Sequence, residues 1–259
     1  MVRIVLAALH AARPLARIAL MVAALLPLLA LQVEAAPLAN ACNKDKTYAP
    51  QTLDVTQPLN LGQLKNQIYF YICSGAYDSD LNTVLAGARG YIEQRAAQVA
   101  KPALVLDIDE TSLSNLPLEL VDDFAYIHGI DCTPDLKGPC GFGNWVALGQ
   151  AKAIDGTLAL YQAARQHHVA VFFITGRHEG ERAVTEKNLK AAGFATWDGL
   201  TLRPAHDNRT VIEYKSGERA KIAEAGYTII VNAGDQHSDL AGGYTERAYK
   251  LPNPMYFIP

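Results

Sequence analysis

An unbroken apolar run, Ala103-Leu-Val-Leu106, ends abruptly on two carboxylates within Leu104-Val-Leu-Asp-Ile-Asp-Glu-Thr-Ser-Leu-Ser-Asn115. Strands covered on both faces read as continuous apolar runs without polar alternation, so this run predicts a buried strand of a parallel sheet. If the extended geometry persists, Asp107 and Asp109 point the same way and repel, and one must be neutralised by a proton or a cation. Two later runs have the same form. Val169-Ala-Val-Phe-Phe-Ile174 ends in Thr175-Gly-Arg177, and Tyr227-Thr-Ile-Ile-Val-Asn-Ala233 ends in Gly234-Asp235-Gln-His-Ser-Asp239.

Helical patterns separate these runs. Leu158, Leu160, Tyr161 and Ala164 predict a helix from an N-cap at Asp155 to about His167-His168, histidines that suit the negative end of a helix dipole. A second helix spans about Glu181 to Ala192 and closes on Gly193. A third starts at Lys215, with Ser216 as N-cap and Gly226 past its end. Weaker extended segments lie at Trp197 to Arg203 and Arg247 to Leu251. Strand and helix in alternation predict an α/β fold with a doubly wound parallel sheet. Ahead of it, Leu61, Leu64, Ile68 and Tyr69, then Leu81, Val84, Leu85, Ala88, Tyr91 and Ile92, predict two N-terminal helices. Gly75 and Asp78-Ser-Asp80 should break them, with Ser79 or Asp80 as N-cap, and Tyr69, Tyr71 and Tyr77 should pack rather than react.

Residues 116–150 do not read as a regular strand–helix unit. Their place just after the paired aspartates makes them a candidate cap or lid. Phe124, Tyr126, Phe142 and Trp145 would either stack on an aromatic substrate group or pack the insertion against itself.

The charge balance narrows the partners. A net charge of −3 over 259 residues, with no basic cluster beyond the start, argues against a nucleic acid polymer or an anionic membrane surface. Residues 1–35 differ in kind. Arg3, Arg13 and Arg17 precede an apolar run, Ile18 to Leu31, and Val33-Glu-Ala35 offers a cleavage site, the pattern of a signal peptide. The run contains Pro27 and is shorter than the roughly 20 residues a membrane span needs. The expectation is an exported protein, periplasmic or secreted, with an irregular mature N-terminus at 36–56 and one domain at 57–259. Lipid attachment at Cys42 is disfavoured by its distance from the apolar run. Four cysteines in an exported chain suggest two disulfides, with Cys132–Cys140 favoured and Cys42–Cys73 remaining.

In a parallel sheet the strand ends share one edge, so Asp107, Asp109, Thr175, Asp235 and Asp239 can converge, with Lys215 arriving from a helix. Four acids would repel a phosphate dianion by several kcal/mol at close range, even at an effective dielectric of about 20. A divalent cation with oxygen ligands reverses that, and Mg²⁺ suits an all-oxygen site.

Asp107-Ile-Asp109-Glu-Thr111 with Ser114-Asn115, the strand into Thr175-Gly-Arg177, Tyr214-Lys215-Ser216, and Gly234-Asp235-x-x-x-Asp239 resemble the four ordered motifs of haloacid dehalogenase (HAD) superfamily phosphatases. They most resemble the exported acid phosphatase branch, subfamily IIIB, with its class B and C and plant members. The resemblance implies a Rossmann-like core with a cap after the first strand, acting on a small phosphate monoester. It implies that Asp107 is the nucleophile and Asp109 the general acid and base. Thr175, Gly176 and Lys215 would hold the phosphoryl oxygens. Mg²⁺ would be held by Asp107, the backbone carbonyl of Asp109, and Asp235. Asp239 would ligate through water or orient Lys215. Asp109 must start protonated, so an acidic optimum is expected. His237 would either face the site or sit on the surface. Three rivals remain: a non-catalytic storage protein on the same fold, a phosphotransferase, and a phosphorylated receiver domain, the last disfavoured by the leader and by Asp109.

Overall fold

The computed structural model describes residues 59–127 and 140–259. The expected leader, residues 36–56, and Cys42 and Cys132 lie outside the described residues. Among the described residues, no helix is long and apolar enough to cross a membrane.

Helix α1 (Leu61–Cys73) starts at Asn60, whose side chain accepts from the N–H groups of Gly62 and Gln63 at 3.0 and 3.3 Å. Helix α2 (Ala76–Arg95) begins directly after Gly75, at φ 79°. The break between the helices is therefore this glycine. Asp78-Ser-Asp80 lies within α2, where Asp78 suits the positive end of the helix dipole. Leu81, Leu85, Ala88 and Ile92 form the buried stripe.

Strand β1 (Pro102–Leu106) is buried at every residue. Leu113–Ser114 (β2) then pairs antiparallel with Lys152–Ala153 (β3). The segment predicted as a cap is thus inserted between two strands of one hairpin. Its described parts form α3 (Leu116–Val121) and α4 (Phe142–Leu148). Five elements follow: α5 (Asp155–Gln166), β4 (Ala170–His178), α6 (Arg182–Ala191), β5 (Gly199–Arg203) and α7 (Val211–Glu224). The chain ends with β6 (Thr228–Gly234), the single turn α8 (His237–Leu240) and β7 (Arg247–Lys250). The N-cap of α5 is Ile154, one residue ahead of the expected Asp155.

The main sheet is parallel, in the order β5-β4-β1-β6-β7. The chain winds outward from β1 to β4 and β5, then returns to β6 on the other side. A switch point therefore lies between β1 and β6, where open α/β sheets form a crevice beyond the strand ends. Alternation along β1 splits the core. Leu104 and Leu106 join the large cluster with α2 and α5, while Ala103 and Val105 meet Tyr214 of α7 on the opposite face. The all-apolar run satisfies both faces at once.

A further predicted boundary, at Lys215, is displaced. Helix α7 starts four residues before Lys215, because Thr210 and Glu213 form a capping box. The Thr210 hydroxyl accepts from the Glu213 N–H at 3.2 Å, and the Glu213 carboxylate accepts from the Thr210 N–H at 2.8 Å. Ser216 is not a cap; its hydroxyl donates to the Ile212 carbonyl at 2.6 Å. Lys215 lies in the second turn, away from the positive helix end, which adds little beyond the first turn.

Candidate active site

Where β1 ends, the backbone turns sharply. The Asp107 N–H still donates to the Ala233 carbonyl of β6 at 3.1 Å, but the Ile108 carbonyl then accepts from Thr111, Ser112 and Leu113 in one tight turn. Glu110 takes φ 50° within it, a conformation uncommon for a residue with a side chain. The turn sends Asp107 and Asp109 to different partners rather than leaving them side by side.

Asp107 meets Lys215. The ammonium is buried, 4% exposed, and donates to Asp107 Oδ1 and to Asp239 Oδ1, each at 2.5 Å. Asp235 joins them: one carboxylate oxygen from each of Asp107, Asp235 and Asp239 lies within 4.8 Å of the other two. Each acid is itself held. Asp235 Oδ2 accepts from Gln236 Nε2 (2.6 Å) and Asn253 Nδ2 (2.7 Å), and Asp239 Oδ2 accepts from the Gln236 N–H (2.8 Å). Gly234 permits this packing, because a Cβ there would collide with the Asp239 side chain.

The electrostatics of this cluster are unbalanced. Three buried carboxylates face one ammonium. Burial pushes Asp107 well above the usual carboxylate range, helped by Asp239, Asp235 and Asp109 and opposed by Lys215. Burial and Asp239 likewise raise Asp235. Burial works against the Lys215 ammonium, yet Asp107 and Asp239 outweigh it and keep it charged. The donor set is all oxygen, preorganised, and in anionic excess. It fits a hard divalent cation.

Asp109 sits apart from that cluster. Arg177, at the end of β4 and 3% exposed, donates from Nη2 to Asp109 Oδ1 at 2.6 Å and from Nε to Oδ2 at 3.0 Å. Asn115 Nδ2 adds a bond to Asp109 Oδ1 at 2.9 Å. Burial alone would raise Asp109, but the Arg177 charge and these hydrogen bonds hold it below the ordinary value. Thr175 is fully buried, and its Oγ1 accepts from the Arg177 N–H at 3.1 Å. Gly176 between them is exposed, and open space adjoins it.

The family model of the HAD superfamily, subfamily IIIB (acid phosphatase), matches residues 37–259. The chain belongs to this family. It is 43% identical to Acid phosphatase 1 of Solanum lycopersicum over 156 residues, 60% of this chain and 58% of that protein. It is 36% identical to the Stem 28 kDa glycoprotein of Glycine max over 73% of this chain and 72% of the relative, and 31% identical to Vegetative storage protein 1 of Arabidopsis thaliana over 73% and 68%. Among solved structures, the class C acid phosphatase of Bacillus anthracis shares the fold, with TM-score 0.59 and 21% identity over 75% of this chain and 86% of that one.

In this acid phosphatase family member, three strand tips and helix α7 bring the four motifs together at one sheet edge, with Asp107, Lys215, Asp235 and Asp239 in mutual reach. The Asp109 carboxylate does not join the cation-type cluster. His237 is exposed. Trp145 is buried in the core and donates Nε1–H to Asn115 Oδ1 at 2.7 Å, so it packs the insertion and offers no face for stacking on a substrate. Phe124 packs on Tyr69, ring centroids 4.9 Å apart. Sequence reasoning assigned no role to Arg177, Glu110, Asn115, Gln236 or Asn253. Arg177 had a signal, as a cation one residue past the Thr175-Gly176 strand end. Glu110 and Asn115 lay within the first motif, and Gln236 and Asn253 had no signal beyond their polarity.

Proposed function

We propose that this chain is an exported, Mg²⁺-dependent acid phosphatase that hydrolyses small phosphate monoesters through an aspartyl-phosphate on Asp107. The observation that carries the reading is the buried Lys215 bridge between Asp107 and Asp239, with Asp235 alongside, at the switch point of a parallel sheet. Buried acids in excess are costly for a fold and useful for phosphoryl transfer.

An Asp107 carboxylate oxygen attacks phosphorus as the bond from phosphorus to the leaving oxygen breaks. That oxygen takes a proton from the Asp109 carboxyl. Asp109, now a carboxylate, takes a proton from water, which attacks the aspartyl-phosphate, freeing phosphate and regenerating Asp107. Thr175, Gly176 and Lys215 bind the phosphoryl oxygens and stabilise charge in the transition state. Mg²⁺, held by Asp107, the Asp109 carbonyl and Asp235, would neutralise the excess of acids that otherwise repels the substrate. Asp239 orients Lys215, a role its 2.5 Å contact supports. Storage-protein relatives suggest a non-catalytic reading, but the intact Asp107–Lys215 pair favours chemistry.

Export rests on the leader-like residues 1–35. Disulfides at Cys132–Cys140 and Cys42–Cys73 agree with the finding that no described cysteine is free.

The test is phosphate release from an aryl phosphate at acidic pH, with and without EDTA. The wild type should turn over and lose activity to the chelator. Asp107→Asn, with an unchanged circular dichroism spectrum, should lose at least about 10³-fold. Undiminished release by that variant would falsify the nucleophile assignment.

A further inference from the structure

We propose that Trp145, on the cap insertion, is a positioning residue for Asp109, acting through the side-chain amide of Asn115. This rests on the phosphatase reading above and adds to it a residue that never touches the substrate.

Three hydrogen bonds define the relay. Trp145 Nε1–H donates to Asn115 Oδ1 at 2.7 Å, and Asn115 Nδ2 donates to Asp109 Oδ1 and to Glu110 Oε2, both at 2.9 Å. The Asn115 and Trp145 side chains are buried, so water does not readily substitute. An asparagine amide is nearly symmetric in shape, and its hydrogen-bond partners alone decide which end points where. The indole N–H can only donate. It therefore fixes Oδ1 toward the cap and leaves both amide hydrogens for the two carboxyl groups. Turned the other way, Oδ1 would face the Asp109 oxygen and repel it.

Glu110 anchors the same amide from the far side. Its Oε1 accepts from the Asn115 N–H, and its Oε2 also accepts from the Tyr256 hydroxyl at 3.0 Å. Asp109 is thus gripped on one flank by Arg177 and on the other by Asn115, whose orientation comes from a residue 30 positions further along the chain. The reaction asks Asp109 to place a proton on the leaving oxygen, and proton transfer depends steeply on geometry. A loosened Asp109 should therefore slow esters that need the proton and spare those that do not.

The experiment compares Trp145→Phe with wild type on two substrates. An alkyl phosphate has a poor leaving group that depends on the proton from Asp109. A p-nitrophenyl phosphate has a stable leaving phenolate that barely does. The phenyl ring preserves most of the packing and removes the N–H donor. The expected result is a fall of about tenfold in kcat for the alkyl ester, a change under about twofold for the aryl ester, and similar KM values. Asn115→Ala should show the same split, more strongly. Thermal melting of both variants is measured in parallel. Equal losses on the two esters, or none on either, would overturn the proposal. A wild type inert toward both esters would overturn the phosphatase reading itself, and the relay with it.

Discussion

Arg177 closes on Asp109 with a forked pair of hydrogen bonds, 2.6 and 3.0 Å long, between groups 68 residues apart in the chain. The Arg177 side chain is almost fully buried and that of Asp109 is 15% exposed, so the partners are costly to separate. Removing one side of a buried ion pair leaves the other charge uncompensated, at about 3–5 kcal/mol.

Arg177→Gln should therefore destabilise the fold by that order in urea melts. It should also move the pH profile. Arg177 depresses Asp109, so Asp109 contributes stability above the unfolded carboxylate range and loses it as pH falls through its own lower value. On the proposed mechanism, turnover starts from the protonated Asp109 carboxyl, so kcat/KM should fall as pH rises through that value. Without Arg177 the falling limb should shift to higher pH. A limb that stays in place removes Asp109 from the acid role.

Asp235 is fastened by Gln236 and Asn253 with an oxygen left beside Asp107 and Asp239. Asp235→Asn keeps the shape and removes one charge. The Mg²⁺ concentration giving half-maximal activity should rise at least about tenfold, while excess Mg²⁺ restores part of the rate. An unchanged Mg²⁺ requirement would remove Asp235 from the ligand set.

Glu119 of α3 shows a linkage that opposes the Asp109 effect. Burial, with Asp122 nearby, pushes its carboxyl from 4.5 up to about 7. A raised folded-state value means the folded chain keeps a proton that the unfolded chain releases. The stability this supplies is present below about pH 4.5 and is lost as pH climbs through 7, on the order of 3 kcal/mol in all. Melting temperatures at pH 5 and pH 8 should differ markedly for the wild type, and less for Glu119→Gln. A parallel pH response in the two proteins would show that Glu119 is not the group responsible.

Gly234 ends β6 where a Cβ would overlap the Asp239 side chain. Gly234→Ala should cost about 1–3 kcal/mol of stability through overpacking. It should also lower activity by displacing the carboxylate that holds Lys215. Wild-type melting and turnover in this variant would mean the turn yields without cost.

Much of this architecture was legible from the chain alone. Apolar runs without alternation report burial on both faces, so β1 and β6 could be placed within about a residue and β4 at its start, though β4 runs on to His178, four residues past the apolar run; with them came the positions of Asp107, Thr175 and Asp235. The start of α7 was encoded in the four-residue capping box from Thr210 to Glu213, although the sequence reading placed it at Lys215. Gly75 similarly marked the break that the aspartates after it obscured.

What only the tertiary structure decided is which polar groups pair. Periodicity encodes backbone conformation and the side of an element that is buried, and both are local. The Lys215–Asp107 bridge spans 108 residues, and the indole of Trp145 reaches Asn115 across an insertion with no regular pattern. Those contacts depend on distances of a few ångströms set by the packing of the whole sheet. A residue's chemical type says that it needs a partner; only the folded chain says which one it finds.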